Sequence, residues 1–144
     1  MIELPRSVEW RDNTLVLLDQ RKLPQKEEVV ICEAIEQVFD GIKTLTVRGA
    51  PAIGIAAAYG LLLGSHNKNG ADIHAGFNER CDYLISARPT AVNLAWAVNR
   101  MRDRERRCHD QTSLFANLLQ EAQSIHEEDR VACNAIADVG LPLV

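Results

Sequence analysis

Residues Ala50 to Leu63 read APAIGIAAAYGLLL and carry no charged side chain. A run that apolar, opened by a proline and rich in alanine, predicts a helix from Pro51 to Leu63 stopped by Gly64. A helix apolar on every side has no face to give to water, so it belongs among other elements in an interior. It is too short to cross a bilayer, which takes roughly 20 apolar residues. The rest of the chain must therefore wrap around it. With 144 residues the chain is long enough to do so as one domain, without metals or disulfides.

The wrapping elements show in the flanking patterns. Ser7 to Trp10 alternates polar and apolar, Arg11-Asp12-Asn13 is a turn, and Thr14 to Leu18 is leucine-rich with a β-branched pair, which predicts two strands. Glu28 to Cys32 predicts a third. A helix from Glu33 to Phe39 follows, ending at Asp40-Gly41. Beyond the apolar helix, residues 66–70 are a loop by composition. Ile73, Phe77, Cys81 and Leu84 recur at helical spacing and predict one helix that stops before Arg88-Pro89. Another is predicted from Thr90 to Arg107. A long last helix starts near Thr112-Ser113, carries Leu114, Leu118, Ala122 and Ile125 on one stripe, and ends at Gly140. The fold class is α+β: a mostly helical N-terminal domain with a small antiparallel sheet near the N-terminus. Residues 141–144 read as the opening of a further strand, with a frayed terminus as the alternative; the strand reading predicts a domain over 1–140 and the start of a truncated one over 141–144.

Composition excludes several classes of function. The net charge is -4, so the molecule as a whole does not attract nucleic acid. The run from Arg100 to Arg107 lacks interleaved aromatics and reads as a solvated helix end. Cys32, Cys81, Cys108 and Cys133 are scattered, with no CxxC pair and no secretory leader before them, which points to reduced thiols in a cytoplasmic protein. The four histidines have no metal-ligand spacing; His126-Glu127 resembles the start of a zinc helix motif, but Arg130 stands where the second histidine would be. No cofactor motif, metal site or membrane segment appears. Asp19-Gln20, after the second strand, reads as a turn, with a polar site at a strand end as the alternative.

Two stretches carry chemistry. Arg48-Gly49-Ala50 leads into Pro51, the expected first helical position, with Ala50 as the cap. Alanine has no oxygen to accept the first free N–H groups. Open N–H groups and the positive end of the dipole make an anion site. Gly49 permits close backbone approach, and Arg48 can add a bidentate fork. Arg88-Pro89-Thr90 repeats the pattern, with Thr90 or Asn93 as hydrogen-bonding groups. The structural alternatives are a buried helix start beside a surface arginine, and a Pro89 that only breaks the preceding helix. Two arginines at two helix mouths suit a doubly anchored, phosphorylated polyol.

Val47-Arg48-Gly49-Ala50-Pro51-Ala52-Ile53-Gly54 and Arg88-Pro89-Thr90-Ala91-Val92-Asn93-Leu94 resemble the N-terminal half of the methylthioribose-1-phosphate isomerase family. This family also contains 5-deoxyribose- and ribose-1,5-bisphosphate isomerases and the regulatory subunits of eukaryotic initiation factor 2B. Leu18-Asp19-Gln20 with Leu23-Pro24, and His126 to Gly140, extend the resemblance along the chain. The unbroken VRGAPAIG is more like the isomerases than the initiation-factor subunits. The resemblance implies aldose-to-ketose conversion of a pentose 1-phosphate in methionine salvage, with Arg48, Gly49, Ala50 and Arg88 binding the phosphate and hydroxyls. It also implies that the catalytic cysteine and aspartate lie in a Rossmann-like C-terminal half, so no catalytic residue is expected in this chain and the chain alone is expected to be inactive. Cys133 only superficially resembles that cysteine, because it falls inside the last helix. The expected partners are the phosphorylated pentose, the missing half and, at full length, a second copy in a homo-oligomer. A 5-deoxyribose-1-phosphate isomerase half and a non-catalytic scaffold domain are the alternatives.

Overall fold

The computed structural model describes residues 8–19, 21, 25, 28–44, 46 and 50–140, with the side chains of 50, 111 and 132–140 outside that description. Three antiparallel strands, β1 (Val8–Arg11), β2 (Thr14–Leu18) and β3 (Val29–Cys32), form a sheet in the order β1-β2-β3. Arg11 pairs with Thr14, leaving Asp12 and Asn13 as a two-residue hairpin loop. Both have positive φ, 52° and 60°, the backbone that joins twisted strands tightly and that Asp and Asn tolerate. The central strand is buried along Leu15 to Leu18. Asp19 then closes the β2–β3 connection: its N–H donates to the Glu28 carbonyl at 2.8 Å, and its carboxylate accepts from Arg21 Nε at 3.0 Å and Nη2 at 2.9 Å. Asp19 is therefore a buried turn residue; Gln20 lies outside the described residues.

Among the described residues six helices follow: α1 (Ile35–Lys43), α2 (Ala50–Gly60), α3 (Gly70–His74), α4 (Phe77–Ile85), α5 (Val92–Arg107) and α6 (Leu114–Gly140), the last preceded by a 3-10 turn over Gln111–Ser113. The Gln37 side chain reaches back to accept from the N–H groups of Glu33 and Ala34, at 2.6 and 3.0 Å, and starts α1. α1 does not end at Asp40-Gly41. A Cβ on Gly41 would lie 3.2 Å from Leu17 Cδ1, so this glycine is a contact between helix and sheet, and Ile42 beyond it is fully buried.

α2 occupies the centre. It packs on α1, α5 and α6 and on β1 and β2, and every residue from Ile53 to Leu63 is buried. It begins at Ala50, one residue earlier than the sequence predicts, which puts Pro51 second. Its regular turns end at Gly60 and not at Leu63: Leu62 and Leu63 bond three residues back, to Tyr59 and Gly60. A Cβ on Gly60 would stand 2.9 Å from Val38 Cγ1, so this glycine lets α1 approach the end of α2. Arg80 Nη2 donates to the freed Leu61 carbonyl and, at 3.2 Å, to Ser65 Oγ, in the manner of cations at helix C-termini.

The single helix predicted through Ile73, Phe77, Cys81 and Leu84 is two. Gly76, at φ 78°, turns the chain in the left-handed region, which ends α3 and starts α4. The apolar spacing survives the break, and all four residues stay buried. α5 starts at Val92 and not at Thr90, because Arg88 to Ala91 is a turn closed by Ala91 N–H to Arg88 O at 3.0 Å, with Pro89 in its favoured second position. The stripe Leu114, Leu118, Ala122 and Ile125 faces the core. α6 runs through Gly140; residues 141–144 lie outside the described residues.

The charged end of α5 is not a uniform solvated face. Glu105 lies on the same stripe as Leu94, Val98 and Met101, is 4% exposed, and accepts from His74. Arg102 reaches Asp82 on α4 at 3.0 Å. These bonds pin α3 and α4 to α5, and His74 gives the buried Glu105 carboxylate the partner that burial requires.

Candidate functional site

Of the four residues expected to bind substrate, Arg48 and Gly49 lie outside the described residues, as does the Ala50 side chain. The approach to them is described. Thr46 is buried, and its hydroxyl is 3.3 Å from that of Thr44, which donates to Asp40 O at 2.6 Å. The loop thus leaves the end of α1 from an anchored point.

Arg88 is half-buried at the start of its turn. Among the described residues no hydrogen bond or ion pair engages its guanidinium. The helix it precedes is open: the N-cap of α5 is Ala91, with no side-chain cap. Neither Thr90 nor Asn93 caps it, since Thr90 sits inside the turn one residue before the cap. Among the described residues the first N–H groups of α5 thus meet no side-chain cap, which leaves them available to an anion.

The packing of α2 against α5 brings the two helix starts together. A Cβ on Gly54 would stand 2.8 Å from the Asn93 carbonyl oxygen and 3.1 Å from Ala97 Cβ. Such an approach is open only to glycine. It sets Pro51, in the first turn of α2, and Asn93, in the first turn of α5, on the lining of one cavity of about 260 Å³. Its apolar walls include Ile55, Ala97 and Ile125; Trp96, Glu128 and Asp129 complete it. Nothing in the sequence joins these α6 carboxylates to the α2 loop; only tertiary packing does.

One wall is braced. The Arg100 guanidinium lies 5.5 Å from the Trp96 ring centroid. It donates to Glu121 Oε1 at 3.1 Å and to both Glu128 oxygens at 2.9 and 2.5 Å. The Glu128 bonds, with a smaller contribution from Glu121, hold Arg100 above its ordinary pKa, and Arg100 holds the Glu128 carboxyl below its own. Deeper in the body, Tyr59 Oη is 2.9 Å from His126 Nδ1, and its ring stacks on Trp10 at 5.4 Å. His126 thus joins α6 to α2. Burial pushes the Tyr59 hydroxyl up to about 12 and the Cys32 and Cys81 thiols each up to about 11, so neither cysteine is a ready nucleophile at neutral pH. Among the described residues no three His, Cys, Asp or Glu side chains gather to hold a metal ion, and no helix is long and apolar enough to cross a membrane.

Residues 46–144 match the Initiation factor 2 subunit family. The chain belongs to that family. Among curated relatives it is 48% identical to the methylthioribose-1-phosphate isomerase of Pseudomonas aeruginosa (strain UCBPP-PA14), over 99% of this chain and 40% of the relative. It is 47% identical to the enzyme of the same name from Azotobacter vinelandii, over 96% and 39%. The family fold is shared with the crystal structure of 5-methylthioribose 1-phosphate isomerase from Pyrococcus horikoshii OT3, at a TM-score of 0.80 and 39% identity, covering 88% of this chain and 37% of that one. It is shared almost equally with translation initiation factor eIF-2B, subunit delta, from A. fulgidus, at 0.78 and 38%, covering 86% and 37%. The chain thus spans about two-fifths of the length of the curated family members it matches.

Proposed function

We propose that this chain is the substrate-binding part of an isomerase that converts 5-methylthioribose 1-phosphate to 5-methylthioribulose 1-phosphate in methionine salvage. The observation that carries the reading is the convergence of two helix starts, each preceded in sequence by an arginine, on the lining of one cavity. Arg48, Gly49 and Ala50 at the α2 mouth and Arg88 at the α5 mouth would share the phosphate and neighbouring hydroxyls. The arginines would supply charge and the helix starts N–H donors. The high identity to isomerases along nearly the whole chain supports the same substrate.

In this reading residues 1–140 form the substrate-binding domain and 141–144 open a Rossmann-like half that brings the catalytic cysteine and aspartate. The chain alone is then inactive. Its buried cysteines, with thiols pushed up to about 11, are poor substitutes. The full-length enzyme would be a cytoplasmic homo-oligomer. A second reading, a non-catalytic scaffold domain, is favoured by the near-equal likeness to the initiation-factor subunit; a scaffold would have no need of a sugar phosphate at Arg48.

Calorimetric titration of the chain with 5-methylthioribose 1-phosphate separates the two. Arg48→Ala and Arg88→Ala are each expected to weaken binding about 10- to 100-fold, as loss of a charge-assisted hydrogen bond does, without lowering the melting temperature. Absence of binding by the unmodified chain, or a lowered melting temperature with unchanged affinity, would contradict the isomerase reading.

A further inference from the structure

The cavity between α2, α5 and α6 has an uneven chemistry. Its floor and sides are apolar, through Ile55, Ala97 and Ile125. One wall is an aromatic ring, and its charged lining residues, Glu128 and Asp129, are both acidic. Glu128 is paired with Arg100 and Asp129 is not without a partner, so the space is apolar rather than repulsive to anions, and two helix N-termini, which favour anions, stand at its edge. A ligand that satisfies both has an anionic end and an apolar end. In a pentose 1-phosphate the substituents on C1 and C5 lie at opposite ends of the sugar.

We infer that this cavity is the subsite for the 5-methylthio group, with Trp96 as a specificity-determining wall. The inference rests on the function proposed above and deepens it. A thioether is apolar and polarisable and makes favourable contacts with aromatic rings. Trp96 is 53% exposed, an unusual place for a large ring. It is nonetheless held in position, since Arg100 lies against it and is itself fixed by Glu121 and Glu128. A ring already braced loses little freedom when a ligand covers it. A volume of about 260 Å³ holds several groups the size of a water molecule, enough for the CH3–S–CH2 arm. A 5-deoxy sugar, whose C5 is itself the methyl, lacks the S–CH3 group and would leave more of that volume empty.

The chain has two tryptophans, so its indole N–H groups give two NMR signals, and loss of one in Trp96→Phe assigns them. Titration with 5-methylthioribose 1-phosphate is expected to move the Trp96 signal and to give about tenfold tighter binding than 5-deoxyribose 1-phosphate. Trp96→Ala should remove that preference, weakening the methylthio sugar about tenfold and leaving the deoxy sugar within twofold. Trp96→Phe, which keeps an aromatic wall, should retain most of it. Equal affinity of the native chain for the two sugars, an unmoved Trp96 signal, or equal weakening of both sugars by Trp96→Ala would overturn the subsite while leaving the proposed function standing. Failure of both sugars to bind the native chain would overturn the function, and the subsite with it.

Discussion

Gly54→Val is expected to destabilise the protein by about 3 kcal/mol, the upper part of the range for overpacking a dense interior. The first added atom decides it. A Cβ at position 54 would lie 2.8 Å from the Asn93 carbonyl oxygen and 3.1 Å from Ala97 Cβ. Asn93 O is backbone in the first turn of α5, so no rotamer change relieves the clash and the helix itself must shift. Replacing a helical glycine with valine returns only a few tenths of a kcal/mol of helix propensity, too little to offset this. The melting temperature should fall by about 10 °C. Because the shifted turn is the one beside Arg88, sugar-phosphate affinity should fall in any folded remainder. Gly60→Ala is the contrast. The three atoms nearest its Cβ all belong to the Val38 side chain, at 2.9 to 3.3 Å, so a side-chain adjustment and not a shift of backbone is asked for, and the loss should be smaller. A Gly54→Val protein as stable as the native one would mean that α2 and α5 do not meet as described.

Leu118→Ala should cost about 2–5 kcal/mol, the loss expected when a buried leucine leaves a cavity. Leu118 is fully buried, and α6 packs against α2, α3 and α5, which limits collapse around the hole. Urea denaturation should show a lower midpoint with an unchanged slope. Gln123→Ala, on the exposed face of the same helix, should stay within about 0.5 kcal/mol of the native protein. Equal effects at 118 and 123 would contradict the assigned face of α6.

The parts legible in the sequence are those fixed by short-range chemistry. Asp12-Asn13 between alternating strands gives the hairpin, and the uniformly apolar 50–63 run gives the central helix. The α6 stripe gives its buried face. The errors fall where a local signal has a tertiary competitor. Asp40-Gly41 resembles a helix end, but Gly41 is small because Leu17 presses on it. Ile73 and Phe77 keep helical spacing although Gly76 divides their helices. Glu105 is hidden in a run of charges, yet it shares the stripe of Leu94 and Met101, a signal that the surrounding composition masks. For the site, the arginine-then-helix pattern is readable at both mouths. Their adjacency is not, because it depends on Gly54 meeting Asn93 across 39 residues of chain. The carboxylates of α6 and the braced Trp96 ring carry no motif at all.

The most direct test of the central claim is an amide NMR titration of the chain with 5-methylthioribose 1-phosphate. If the two helix mouths form one anion site, the amides of Ala50 and Ala52 in α2 and of Val92 to Leu94 in α5 should move together and fit a single dissociation constant. Movement at only one mouth, two different constants, or no movement at either would contradict it.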